Sequence, residues 1–312
     1  MGRLADLSTN EMARQYAQGA AQSAIQPVAD FLAPPIEVSK STGSYKIYDE
    51  KSRFHIPDSR RALGGRATEL VFNVSDGTYN CLPHSLDVPI DKLEEIESEG
   101  LENVFQEAAR AAAEVGGLEH EDTVINGALT SVGSGTDLDA SAASAIDLID
   151  KIDEQIIEVL KVAKYGSLMG VGVLFGVGAF RRFKNHLKVI ARYNGGKKSS
   201  QMVAPTIDEA MGLLIGNPEA RISFLVKDTA GPGLAESVSF LLDEAVLIFA
   251  RMGSPSRRDP SFMKTFRLAG QWMIPDSYSR DDGRVEVAKF DWSEDVKITN
   301  SAACKRLNFN AS

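Results

Sequence analysis

The sequence is poor in the groups that bring chemistry or mark a boundary. Only two cysteines, Cys81 and Cys304, occur in 312 residues, and neither sits in a C-x-x-C pair. That excludes a disulfide scaffold and predicts buried or free thiols in a reducing compartment. Four scattered histidines leave Cys81 and His84 as half of a metal pattern with no second half, which argues against a zinc site. The longest apolar run, residues 168–180, is too short and too glycine-rich to span a bilayer. The first residues, MGRLADLSTNE, have no apolar core of a leader, so no secretory signal is expected. Positive charge is also in deficit. A net charge of −9 disfavours a general nucleic-acid binder and docking on anionic lipid.

What is present is the composition of a globular protein, 43% hydrophobic and 25% charged, long enough for one elaborate lobe or two compact ones. Residues 8–24 read as an alanine-rich, weakly amphipathic helix ended by the prolines at 34–35. From there to about residue 90 the chain reads as extended, in the runs IEVSK, SYKIYDE and ELVFNVS. Residues 43–87 thus form a long two-stranded excursion. A helix is expected over 90–115, its apolar stripe including Leu101, Phe105, Ala108 and Ala112, with Gly116 and Gly117 as its stop. Residues 127–140 read as a turn region, and further helices are expected over 141–164 and 180–193. Thr206 to Glu209 is a capping box. Strand-like runs follow at 221–227, 245–251, 262–268 and 284–292.

The motifs that suggest catalysis fail on spacing. GVGVLFGVG (170–178) is one residue too long for a dinucleotide fingerprint and lacks the later acidic partner, so a buried strand with close neighbours is expected instead. NGGKKSS (194–200) lacks the first glycine of a phosphate loop, and Lys198 stands where a Ser or Thr is needed. No nucleophile elbow appears, and no catalytic residue, metal ligand or cofactor site is assigned.

Charge placement says more. Within 51–66, Lys51, Arg53, Arg60, Arg61 and Arg66 face one acid, Asp58. Within 87–122, twelve acids face only Lys92 and Arg110. A hairpin leading straight into an acidic helix points away from it. The acids it covers, with Glu94, Glu95, Glu97, Glu99 and Glu102 as candidates, are therefore expected on a neighbouring copy. Such head-to-tail contacts close into rings or shells.

The residues 31–91 resemble the major capsid proteins of tailed bacteriophages. The resemblance lies in the G-x-Y-x-x-Y strand Gly43 to Tyr48, the R-F-x-I-P-D-x-R-R tip Arg53 to Arg61, and Thr78-Tyr79-Asn80-Cys81 followed by the acidic helix. It implies an α+β coat-protein fold, shared with encapsulins and herpesvirus capsid floors. The expected segments are an N-terminal arm (1–42), an extended loop (43–87), a peripheral domain with a spine helix (88–140), an axial domain (141–280) and a C-terminal return to the peripheral domain (281–312). It further implies a virion shell of pentamers and hexamers around double-stranded DNA. Assembly would occur in the host cytoplasm, with separate scaffolding, portal and decoration proteins and without membrane, catalysis or cofactor. Some relatives crosslink a loop lysine to asparagine; Lys46 and Lys51 lie on the loop, but no partner asparagine or activating glutamate is marked, and no crosslink is expected. An encapsulin-like cargo shell, and a nucleotide-binding α/β enzyme built on 141–280, remain as alternatives.

Overall fold

The computed structural model describes residues 28–48, 59–61, 63–66, 69, 74–91, 101–163, 170–195, 202–230, 235–257, 259, 261–280 and 283–310. The helix expected over 8–24 lies outside them. So does most of the strand expected at 69–75.

Two five-stranded sheets organise the chain. The first is built on β13 (Val285–Ile298). One of its edges pairs with β4 (Leu82–Asp91) and the other with β12 (Ile274–Ser279) and then β11 (Met263–Leu268). Beyond β11 runs the parallel strand β1 (Pro35–Val38). The second sheet has the order β5 (Thr136–Asp139), β14 (Cys304–Asn310), β10 (Ala245–Arg251), β6 (Gly170–Gly176) and β7 (Glu219–Ser223). Two separate ribbons complete the strands: β2 (Thr42–Tyr48) with β3 (Val74–Asn80), and β8 (Val226–Asp228) with β9 (Val238–Phe240). Sheet membership divides the chain differently from the expected boundaries. β11 and β12, inside 141–280, join the first sheet, while β14, inside 281–312, joins the second. Strand pairing brings together segments far apart in sequence, and local composition carries no trace of that.

The main core lies around the second sheet. A short helix α1 (Ala29–Leu32) drives Phe31 and Leu32 into it, with the Phe31 ring edge-on to Phe249 at 5.3 Å. The guanidinium groups of Arg251 and Arg221 stand 4.5 and 4.9 Å from the same ring.

The long helix α2 (Leu101–Val132) runs straight through Gly116 and Gly117, contrary to the expected stop there. Two interior glycines cost about 1 kcal/mol each against alanine. Gly116 offsets this through close packing, because a methyl group there would come within 3.0 Å of Met273 and 3.4 Å of Trp292. The small side chains Ala108, Ala109, Ala112 and Ala113 likewise let α2 lie against Ala288 and Phe290 of β13. The real stop is Gly133, left-handed at φ +74°, whose N–H bonds the carbonyl of Leu129. Gly133→Ala is therefore expected to cost about 1 kcal/mol in a urea titration, since alanine must be strained into that conformation.

Helix α3 (Leu148–Ala163) begins later than expected because the Asp147 carboxylate caps it, accepting the N–H groups of Ile149 and Asp150. The helix expected over 180–193 is two, α4 (Val177–Asn185) and α5 (Leu187–Asn194), hinged at an extended His186. The hinge turns Leu187 out to solvent. The capping box at Thr206 and Glu209 opens α6 (Ile207–Met211) as expected.

Candidate assembly surface

The β2–β3 ribbon, here called the finger, is rooted on the first sheet. Its root explains why both strands carry a glycine two residues before a tyrosine. In the antiparallel register Gly43 faces Tyr79 and Tyr45 faces Gly77. Each ring covers the opposite strand's glycine so closely that a side chain at either glycine would overlap the ring. Both tyrosines then stack on Phe266 of β11, with centroids 5.4 Å (Tyr45) and 4.6 Å (Tyr79) away. Polar ties back this up. The Asn80 N–H donates to Asp295 at 2.7 Å, the Ser293 hydroxyl to the carbonyl of Cys81 at 3.2 Å, and the Cys81 thiol to the carbonyl of Phe266 at 3.4 Å. Burial is the first cause that pushes the Cys81 thiol up, so it stays protonated. Its place is structural.

At the tip, Arg60, Arg61 and Arg66 are exposed, and Leu63 between them is fully exposed. Arg61 donates to the carbonyl of Gly65 at 3.0 Å, and Gly64 turns the chain at φ +81°. Lys51, Arg53, Glu94, Glu95, Glu97 and Glu99 lie outside the described residues. Glu102 stands in the first turn of α2, its side chain also outside them.

The described acids of α2 serve nearer partners than the sequence pattern suggested. Glu114 pairs with Arg110 at 2.9 Å, Glu119 lies 3.7 Å from His84, and Asp122 pairs with Lys227 of β8 at 2.5 Å. Glu107 is exposed. Two residues on the inner face of α2 do something the sequence analysis missed. Glu121 accepts the N–H groups of Val28 and Ala29 at 2.8–2.9 Å, tying the start of α1 to the spine of the molecule. Next to it, His120 Nδ1 lies 2.9 Å from Glu294 of β13, and its Nε2 lies 3.8 Å from Asp30. Arg267 of β11 closes the cluster, 2.9 Å from Asp30 and with its guanidinium 3.6 Å above the Trp272 ring.

With His120 protonated, Asp30, Glu294, Arg267 and His120 sum to zero charge. Burial alone would lower the His120 pKa, but the neighbouring carboxylates of Asp30 and Glu294 win and raise it to about 9, against the repulsion of Arg267 3.2 Å away. Burial pushes Glu121 up to about 7, opposed by the two backbone N–H groups and by His120. The signal in the sequence was positional. His120 and Glu121 fall on the same stripe as Ala109, Ala113, Val124 and Ile125, where a charge must find a partner or be neutral.

The glycine-rich segment 170–178 is a buried strand turning into α4, as its spacing implied. A side chain at Gly172 would strike Phe249 and Phe31, and one at Gly176 would strike the Asp243 backbone. The first turn of α4, where a nucleotide phosphate would sit in the enzyme alternative, is filled from within: the Asp243 carboxylate accepts the N–H of Gly178 at 2.9 Å. At 194–195, Asn194 holds the carbonyls of Ile190 and Val203, and Gly195 closes α5 at φ +55°. That is a helix terminus, with the rest of NGGKKSS outside the described residues.

No family model matches the sequence, and no curated protein matches it. Solved structures do. A phage-related protein from Bordetella bronchiseptica superposes with a TM-score of 0.69 at 14% identity, covering 96% of each chain. The capsid of the cyanophage P-SCSP1u gives 0.55 at 10% identity over 90% of this chain and 87% of its own. An encapsulin from Synechococcus elongatus gives 0.54 at 12% identity over 90% and 89%. Over nine tenths or more of its length the chain therefore superposes on these structures, and it has the coat-protein fold that phage capsids and encapsulins share.

Proposed function

We propose that the protein is the major coat subunit of a tailed bacteriophage, forming pentamers and hexamers of an icosahedral shell around double-stranded DNA. The observation that carries this reading is the finger: a two-stranded ribbon rigidly rooted on Phe266, with an exposed apolar and arginine-rich tip. An isolated hairpin is marginal in water, and a neighbouring copy supplies the missing surface. In this reading the first sheet with α2 is the peripheral part. The second sheet with α3 to α6 is the axial part around the symmetry axes, and the residues before α1 are the arm. Scaffolding, portal and decoration functions belong to separate proteins. Outside the acidic helix the charge is mild, which suits a container that must release its DNA.

The likeness to an encapsulin supports a second reading, a shell that loads protein cargo. Electron microscopy of the expressed protein, with nucleic acid and protein content measured on the particles, separates the two. Shells able to enclose DNA support the coat reading, co-purifying protein cargo supports the second, and a small oligomer at all concentrations overturns both. The charge-reversed variant Arg60→Glu with Arg61→Glu is expected to remain folded by circular dichroism while losing most of its assembly in a sedimentation assay. Shells in normal yield would remove the finger arginines from the mechanism.

A further inference from the structure

The β8–β9 ribbon is an unfinished surface. Its two strands pair only with each other among the described residues, in the register Val226 to Phe240 and Asp228 to Val238. Alternation places Val226, Val238 and Phe240 on one face, with Phe224 two residues ahead of Val226 continuing it. Their exposures are 43%, 55%, 42% and 57%. The opposite face is anchored: Lys227 reaches Asp122 of α2, and Leu225 and Leu241 turn in towards the main core. The N–H of Thr229 donates to Ser237 and that of Leu241 to Leu225. Val226, Val238 and Phe240 are therefore at positions whose backbone groups point away from the partner strand. Four large apolar side chains and an open strand edge in one place mark a contact surface.

Charge selects the occupant. Lys227, the one base on the ribbon, is neutralised by Asp122, while Asp228 and Glu236 are exposed beside the apolar face. Asp228 is held ionised by the N–H groups of Ala230 and Ser237, at 2.8 and 2.9 Å. The complement is the finger tip, a fully exposed Leu63 flanked by Arg60, Arg61 and Arg66. We infer that the β8–β9 ribbon seats the finger tip of a neighbouring copy, with Leu63 on its apolar face and the tip arginines against Asp228 and Glu236. The inference rests on the shell reading and names the receiving surface within it. Tip and seat are different surfaces of one chain, so the contact is head-to-tail and repeats from copy to copy.

A chain carrying both Leu63→Cys and Val238→Cys tests this, with each single variant and the unsubstituted protein as controls; Cys81 and Cys304 are buried. Mild oxidation of assembled material, followed by a non-reducing gel, is expected to give a ladder of dimers, trimers and higher multimers from the double variant alone. A faster-migrating monomer would mean the tip meets its own ribbon, which overturns the inference. Particles without a ladder overturn it too while leaving the shell reading standing, whereas unsubstituted protein that never forms particles overturns both. Leu63→Asp, at a solvent-exposed position that cannot disturb the core, is expected to lower the assembled fraction at least roughly tenfold. An unchanged fraction would equally overturn the inference.

Discussion

Phe266→Ala is expected to cost about 3–5 kcal/mol of stability, the range for deleting a buried aromatic ring, and to unpin the finger at the same time. Phe266 is fully buried and supports two stacked tyrosines, each stack contributing about 0.5–1.5 kcal/mol beyond its buried area. Tyr45 and Tyr79 cannot recover by leaning inward, because their rings already rest on Gly77 and Gly43. Urea titration of the unassembled chain measures the loss, and limited proteolysis within β2–β3 reads the release of the finger. Tyr79→Phe keeps the stack and is expected to cost less than about 1 kcal/mol. A loss at Phe266 no larger than that of Tyr79→Phe would mean that the polar ties from Asp295 and Ser293 alone hold the root.

The second large effect is an inverted pH profile. His120 has a folded pKa of about 9 against an ordinary 6.5, so its contribution is complete below 6.5 and is lost as pH rises through 9. Glu121 has a folded pKa of about 7 against 4.5, so its buried carboxyl is accommodated below 4.5 and becomes a growing penalty up to 7. Each shift corresponds to roughly 3 kcal/mol. Asp30 acts in the opposite sense. Burial would raise it, but His120 and Arg267 hold it below its usual 3.8, so its contribution is lost only as pH falls below that value. The summed contribution of these three groups is greatest near pH 4–5 and declines towards pH 9. Many proteins are instead most stable at pH 5–8. Midpoints of thermal unfolding across pH 4–9 test it. Glu121→Gln, which keeps an oxygen for the N–H groups of Val28 and Ala29, is expected to flatten the limb between 4.5 and 7 and leave the alkaline limb intact. A variant curve that overlays the unsubstituted one would remove Glu121 from the effect.

The cluster also bears on the shell reading. It fastens α1, the first described element after residues 1–27, to α2, β11 and β13 at one buried point. Removing one partner by Glu294→Ala leaves His120 and Arg267 with Asp30 alone to balance two positive charges, and breaking a buried pair of that kind costs about 3–5 kcal/mol. A change of charge there therefore acts on α1 and the first sheet together.

Much of this protein was determined by local sequence. The strand AVLIFAR, the capping box at Thr206 and the glycine-rich buried strand follow from short-range periodicity and from steric limits at glycine. Tertiary structure alone decided the rest. Gly116 and Gly117 read as a helix stop, yet packing against Met273 and Trp292 repays the local cost and the helix continues. β14 lies between β5 and β10, and Asp30, His120, Arg267 and Glu294 converge from four distant segments. The acids of 87–122 read as a surface for a neighbouring copy, yet Glu121 and Asp122 are committed within the molecule. The physical reason is the same in each case. Backbone preference and hydrophobic period act over a few residues and leave their mark in the order of the chain. Strand order and the neutralisation of buried charge depend on which distant segments meet, and that is settled only when the two sheets pack.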